Sequence, residues 1–480
     1  ARTLPNAAPG VSRPAFAPGA HDIGIVHLGL GAFHRAHQAV YTDDAIAADG
    51  GDWRIAGVGM RSTTTAEALA AQDGFFTVLE RGPDAAPPRI IGSLGEALSL
   101  VRDRGAVEAR LAAPKTKIIT LTITEKGYRR DPKTGGLLID APDIAQDLAT
   151  PNAPATVPGL LAQALKRRYD GQASGVTLLS CDNLMDNGAA LRAVVTEIFV
   201  QSYPELRSWI EDEVRFPSSM VDRITPRAGE DDRTDAERAI GLHDAAPVAC
   251  EPFRQWVIEE NFAAGRPRWE AGGALLVRDV EAHERLKLRM LNGAHSLLAY
   301  AGHVAGYTTI SDCLATPSLR GLCSVYLDHV RASLAPVPGL DYADYAASVM
   351  QRFENPRILH ATAQVAADGS EKMPVRVFSA AEDALEHGEP ITAFAFATAL
   401  WFRYLLGWTE AGAPYALNDP KEREIRAAVG RNGAAAEILQ RLLSIDGLLP
   451  TPLFAEERWT GEVVAILDRI LKDGVIETAQ

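Results

Sequence analysis

Short apolar runs alternate with helical stretches over roughly the first 190 residues, the pattern of a parallel sheet with crossover helices. Ile23–Leu28 reads as a first strand, followed at once by Gly29-Leu-Gly31-Ala32-Phe33-His34-Arg35 and a helix from about Ala36 to Asp49. Trp53–Val58 predicts the second strand. Phe75–Leu79 and Arg89–Ser93 predict a β-ribbon around the Pro-rich loop Gly82–Pro88. Lys117–Thr122 and Val176–Leu179 are further core strands, each ending in polar residues, at the sheet edge where ligands bind in such folds. Residues 200–275 are mixed, with Val221–Pro226 in a loop. From Glu281 onward helical patterns follow one another, including Tyr342–Phe353, Ile391–Leu406, Glu422–Val429 and Gly461–Leu471. The change of character places a domain boundary near residue 278.

The chain has 480 residues, 47% of them hydrophobic, which is ample core, and its length points to two or three domains. A formal net charge of −14 argues against nucleic acid or an anionic membrane as a general partner. Cys181, Cys250, Cys313 and Cys323 lie far apart, so they read as buried thiols of a reducing compartment. No run reaches the 18 or more apolar residues of a membrane span. The Ala/Pro/Gly-rich start, through about Gly19, lacks the order of a signal peptide and reads as an extended arm. The expectation is a cytoplasmic protein.

The segment from Glu284 to Tyr300 carries the sharpest chemical signal. On a helical wheel at 100° per residue with Lys287 at 0°, Leu291, Ala294 and Leu298 fall within about 40° of it. Arg285, Arg289, Gly293 and Ser296 cluster at roughly 160–240°, the natural solvated face. Lys287 therefore points into the apolar side, where an isolated ammonium is costly and its pKa tends to fall. His295 lies about 80° away and Asn292 about 140° away, so the three can line one rim of a cavity. Such a lysine suits a general base at a carbinol. Snorkelling to the surface, or pairing with a buried acid, accounts for the wheel equally well.

Gly29-x-Gly31 between a strand and a helix fits the first two glycines of a dinucleotide fingerprint, with His34 in place of the third. Arg35 then meets a phosphate or makes a surface salt bridge. After the second strand, Gly59-Met-Arg61-Ser-Thr-Thr-Thr65 offers no acid until Glu67, which leaves NAD against NADP open. Thr122-Ile-Thr-Glu125-Lys126-Gly-Tyr128 and Ser180-Cys-Asp-Asn183 both follow strands. An amide at Asn183 can donate to a carbonyl oxygen, although Asn and Asp after strands are also routine turn residues. His27, His34 and His37 lack an acid or cysteine to complete a zinc set, so no metal is expected. Asp368-Gly-Ser-Glu-Lys372, with Arg376, is a charged loop whose cations can clamp a carboxylate or can simply be solvated.

Together these residues resemble the polyol-specific long-chain dehydrogenase/reductase family, also called the mannitol dehydrogenase family. The likeness covers nearly the whole chain. It is carried by His27–His37, Thr122–Tyr128, Ser180–Asn183, Val221–Pro226, Cys250-Glu-Pro-Phe-Arg-Gln-Trp256, Lys287–Ser296 and Asp368–Lys372. It implies an extended arm over 1–20, an α/β Rossmann-type dinucleotide-binding domain over 21–277 and a mostly α-helical substrate-binding and catalytic domain over 278–480. The active site is expected in the cleft between the domains.

The resemblance further implies metal-independent, NAD(P)-dependent interconversion of a secondary alcohol and a ketose-type carbonyl. The family's general acid/base falls on Lys287, its oxyanion-binding asparagines on Asn183 and Asn292, and its substrate-orienting histidine on His295. Substrate contacts fall on Asp222 and Lys372. Gly29, Gly31, Ala32, Phe33, Arg35, Arg61 and Glu125 are the expected cofactor contacts. Mannitol 2-dehydrogenases carry an arginine where this chain has Gln364. The stretch Thr362–Arg376, Lys126, and the run Ala249–Phe262 instead resemble the branch that interconverts D-fructuronate and D-mannonate. Lys126, Lys372 and Arg376 offer cations that an acid substrate needs and a neutral hexitol does not. The alternatives are a mannitol, arabinitol or sorbitol 2-dehydrogenase, and a sugar sensor that keeps the fold without catalysis. The expected partner is a small sugar acid or polyol, with the protein a monomer or weak homo-oligomer.

Overall fold

A computed structural model of the chain describes residues 6–131, 134–226, 229–337 and 340–480. It separates into two compact units, Ala1–His283 and Glu284–Gln480. Of the arm expected over 1–20, residues 1–5 lie outside the described residues. The remainder is tied down rather than free. Ser12 pairs with Arg89, its amide donating to the Pro88 carbonyl at 2.9 Å, and Ala7 is buried with Phe75 and Ile90.

The first unit is a Rossmann-type α/β domain. Its strands are β1 (Ile23–Leu28), β2 (Arg54–Gly59), β3 (Phe76–Glu80), β4 (Arg89–Ile91), β5 (Leu94–Ser99), β6 (Ile118–Leu121), β7 (Val176–Ser180), β8 (Val214–Arg215), β9 (Ser219–Asp222), β10 (Val248–Cys250), β11 (Gln255–Glu259) and β12 (Leu275–Val277). Six of them form one parallel sheet in the order β5-β2-β1-β6-β7-β8. Strand order reverses between β1 and β6, and the crevice beyond the carboxyl ends of such strands is where ligands bind in open α/β sheets. The central strands are buried along their length, which is why they read as continuous apolar runs. The expected ribbon is the antiparallel pair β3–β4, which joins β10 in a small second sheet.

Three local expectations are corrected. The helix expected from Ala36 is two helices, Ala32–Ala36 and Gln38–Asp49, broken at His37 with φ −121° and ψ −90°. Its imidazole Nε2 pairs with the Gln255 carbonyl at 2.9 Å, which fixes the break from the side. Val221 and Asp222 are not loop but strand, because β9 pairs antiparallel with β11. The Asp368–Lys372 segment is no solvated loop either. It contains a short helix, Gly369–Met373, entered through Asp368 at φ +55°, and the amide and hydroxyl of Ser370 both donate to Asp419.

The second unit is mostly helical. Gly293–Ala305 and Thr392–Leu405 are buried on nearly every side, the latter with alanine at 393, 395, 397 and 399 on its buried surface. Among the described residues no helix is long and apolar enough to cross a membrane, and all four cysteines are buried and free.

Candidate active site

The turn after β1 is built around Gly29 at φ +110°, a backbone conformation that glycine alone adopts cheaply. A Cβ there would lie 2.0 Å from the Thr122 carbonyl oxygen at the end of β6. Beneath the turn His27 is fully buried. Its Nε2 is hydrogen-bonded to the Gly29 carbonyl at 3.0 Å and to Thr122 Oγ1 at 2.9 Å, and its Nδ1 to Thr120 Oγ1 at 2.8 Å. Burial pushes its pKa down to about 3, so the ring is neutral. Gly31 behaves differently: a Cβ on it meets nothing nearer than the Gly29 carbonyl at 3.8 Å. The space over Gly31 fits the close backbone approach that a pyrophosphate needs. Ala32 and Phe33 begin the helix that follows, half-buried.

Arg35 is not on the surface, and among the described residues it forms no salt bridge. It is buried, with Nε donating to the Gly31 carbonyl at 3.2 Å and Nη1 to that of Ala246. Burial lowers its pKa to about 10. Its visible work is to hold the turn. Arg61 lies exposed beyond β2, beside the hydrogen-bonded hydroxyls of Ser62 and Thr64. Glu67, the first acid after that strand, is paired with Arg102 at 3.1 Å. His34 stacks on His27 at 3.4 Å between centroids, and burial holds both it and His37 far below the usual histidine range. Among the described residues no group of three or more His, Cys, Asp or Glu gathers to hold a metal.

At the ends of β6 and β7 the structure adds residues that pattern alone did not single out. The buried Asp182 carboxylate accepts from the amides of Ile123 (3.1 Å) and Thr124 (2.8 Å) and from the Tyr128 hydroxyl (2.8 Å). Burial raises its pKa, and these three donors pull it back toward the charged form. This clamp fixes the 3₁₀ turn Glu125–Tyr128, so Glu125 and Lys126 stand exposed on a rigid support. Asn187, also buried, donates to the carbonyls of Asp182 and Ser219 and accepts from the Ser219 amide. Asn183 therefore sits exposed between two anchored neighbours. Asp222 ends β9 and is buried. Next to it Arg223 donates to the carbonyls of Ala36 and Glu251 and pairs with Glu80 at 2.7 Å, interlocking the Val221–Pro226 and Cys250–Trp256 segments.

In the second unit Lys287–Asn292 is a π-helix that runs directly into Gly293–Ala305. Lys287, Asn292 and His295 are all buried, as the wheel predicts for the lysine. The wheel fails on the other side, since Arg289, Gly293 and Ser296 are buried too. A π turn closes through i→i+5 bonds, so angles counted at 3.6 residues per turn lose phase across it. The supposed solvated face is packed. Arg289 pairs with Asp383 at 2.7 Å, Gly293 lies against Tyr326, and Ser296 Oγ accepts from Arg376 Nη1 at 3.0 Å. Arg376 occupies a second π segment, Pro374–Phe378, and also donates to the Asn292 carbonyl at 3.3 Å.

His295 stacks on Phe353 at 4.7 Å and meets the edge of His360 at 4.4 Å. Burial lowers its pKa most, followed by the charges or rings of His360, Arg376, Arg352 and Lys372. The imidazole is thus neutral in a positive field. Lys372 is half-buried, its Nζ donating to the carbonyls of Ala367 (2.5 Å) and Val365 (3.3 Å) with the Asp368 carboxylate 3.9 Å away. Gln364 is exposed.

The mannitol dehydrogenase Rossmann domain matches residues 23–271, and the mannitol dehydrogenase C-terminal domain matches residues 279–470. The chain belongs to the mannitol dehydrogenase family. It is 41% identical over 456 residues to an uncharacterized oxidoreductase of Escherichia coli (strain K12), covering 95% of this chain and 94% of that protein. It is 37% identical to the D-mannonate oxidoreductase of the same organism, covering 97% of each chain. The structure of Pseudomonas fluorescens mannitol 2-dehydrogenase in ternary complex with NAD and D-mannitol superposes with a TM-score of 0.90 at 36% identity, covering 100% of this chain and 98% of that one. As a family member the protein is an NAD(P)-dependent dehydrogenase acting on the CH–OH group of a polyol or sugar acid. Membership gives the Gly29 turn a direct test. Gly29→Ala brings a Cβ against a sheet carbonyl and strains φ, at roughly 1–3 kcal/mol. NADH binding, followed by fluorescence, is expected to weaken about tenfold, which is about 1.4 kcal/mol. Unchanged affinity would separate this turn from the cofactor.

Proposed function

We propose that the protein interconverts D-fructuronate and D-mannonate with NAD and without a metal. The observation that supports an acid substrate is the charge around His295, where, after burial and the neighbouring His360 ring, the cations Arg376, Arg352 and Lys372 all act against a charged imidazole. Bound at the Gly29–Gly31 turn, NAD supplies or accepts the hydride. In oxidation the substrate C–H bond breaks to give that hydride, Lys287 takes the hydroxyl proton, and the C=O double bond forms. Reduction runs the same proton and electron pair backwards. Asn183 and Asn292 donate to the oxygen as charge builds on it, and His295 fixes the sugar's orientation. Asp222, Lys372, Gln364, Arg376 and Lys126 complete the substrate contacts. Glu125 and Arg61 serve the cofactor, with Arg61 the residue that decides how far NADP is accepted. Cytoplasmic placement is supported by the four free thiols. The protein is taken to act on its small-molecule substrate as a monomer or weak homo-oligomer.

The polyol reading has its own support, because identities of 37% to a D-mannonate oxidoreductase and 36% to a mannitol 2-dehydrogenase do not choose between them. NADH oxidation with D-fructuronate and D-fructose at matched concentrations does choose. Turnover on fructuronate with little on fructose is expected, and Lys372→Met should then raise the fructuronate KM at least tenfold. Strong turnover on fructose alone would move the protein to the polyol branch.

A further inference from the structure

His360 has no place in the roles assigned so far, yet it is built into the surroundings of His295. Its backbone is fixed on both sides: the amide donates to the Ile358 carbonyl at 2.8 Å and its own carbonyl accepts from Ile310 at 3.0 Å. Its ring stands edge-on to His295, with centroids 4.4 Å apart and planes at 74°. Phe353 stacks on His295, with centroids 4.7 Å apart. Both imidazoles are neutral, His360 because burial and the nearby Lys372 lower its pKa to about 4.

Each ring also carries a buried nitrogen that meets no hydrogen-bonding atom among the described residues, Nε2 of His295 and Nδ1 of His360. A buried polar atom left unpaired is costly and rare in native proteins. Two such atoms on touching rings, beside three cations, are satisfied together if a polar ligand enters. A neutral imidazole presents one N–H donor and one acceptor, and an N–H beside cations matches the oxygens of a carboxylate.

We infer that His360 is a second substrate-binding imidazole, which together with His295 holds the terminal oxygens of the sugar substrate, a carboxylate where that substrate is a sugar acid. The inference rests on the reading that the surroundings of His295 receive the sugar. His360 is a specificity-determining residue, and it takes no part in the proton transfer assigned to Lys287.

His360→Phe keeps an aromatic ring against His295 and removes both nitrogens. The KM of the wild type's better substrate, fructuronate or fructose, is expected to rise at least tenfold, with kcat within threefold and NADH affinity unchanged. His360→Gln, which restores an amide donor and acceptor, should bring KM back to within threefold of wild type. A KM moved less than threefold by His360→Phe would overturn the inference. On the unaltered enzyme, modification of His360 by diethylpyrocarbonate, read by peptide mass, should slow in the presence of NAD with D-mannonate, or with D-mannitol if fructose is the substrate. Equal modification with and without that ligand would also overturn it. The fructuronate-against-fructose preference of the wild type tests the function separately, since His360 is scored on whichever carbonyl is turned over.

Discussion

Replacing Lys287 with alanine is expected to cut turnover by about 10²–10⁴-fold, the usual contribution of a positioned general acid–base. NADH binding should survive, because the Gly29–Gly31 turn is built from β1, β6 and their flanking residues and not from the Lys287 helix. Lys287 is 6% exposed and opens a π-helical segment within a helix that is buried all round. A base must be neutral to take the hydroxyl proton, so the wild-type oxidation rate should rise with pH and the reduction rate should fall. In Lys287→Ala both limbs should flatten. Lys287→Met, which keeps the aliphatic stem, should be as slow as the alanine variant, because the missing part is the amine. Small primary amines added to Lys287→Ala should restore part of the rate. Near-full activity in either variant, with the thermal midpoint unchanged, would remove Lys287 from the mechanism.

How far the sequence anticipates this site depends on whether a residue's partners are near or far along the chain. The Rossmann strands β1, β2, β6 and β7 are legible because burial on both faces makes them continuous apolar runs. The sheet member β5 is not, because Leu94-Gly-Glu-Ala-Leu-Ser99 is interrupted by Glu96, which turns outward to Arg110. The short strands of the two side sheets leave too few residues to show alternation. The same limit governs the site. Lys287 stands out because a charge on an apolar face is conspicuous within one helix. Asp182 and Asn187 look like ordinary turn residues until their bonds to Thr124, Tyr128 and Ser219 are seen. His360 carries no local signal at all. Its meaning comes from His295, 65 positions earlier in the sequence.

The π segments are the feature that pattern reading had wrong, and they set the second large effect. Gly293→Ala is expected to destabilise the protein by about 2–4 kcal/mol, combining overpacking with loss of buried hydrogen bonds. Its thermal midpoint should fall by roughly 5–15 °C. A Cβ at 293 would sit 2.1 Å from the Tyr326 hydroxyl and 3.0 Å from the Arg376 carbonyl oxygen. Tyr326 is fully buried and packed edge-on against Phe394, so it has little room to retreat. Its hydroxyl lies 3.3 Å from the Arg289 carbonyl and 3.2 Å from that of Arg376, one in each π segment. One phenol thus serves both widened turns at once, the first bearing Lys287 and Asn292 and the second Arg376. Pushing it away should loosen both, so kcat should drop at least tenfold at temperatures where Gly293→Ala is still folded. Adding Tyr326→Phe removes the oxygen at 2.1 Å and leaves the ring carbon at 3.0 Å, so the double variant should regain part of the midpoint that Gly293→Ala loses. It should not regain full turnover, because neither carbonyl then has its donor. A Gly293→Ala protein with wild-type midpoint and kcat would mean that the helix shifts freely at this contact, and that the π geometry does not hold Lys287 in place.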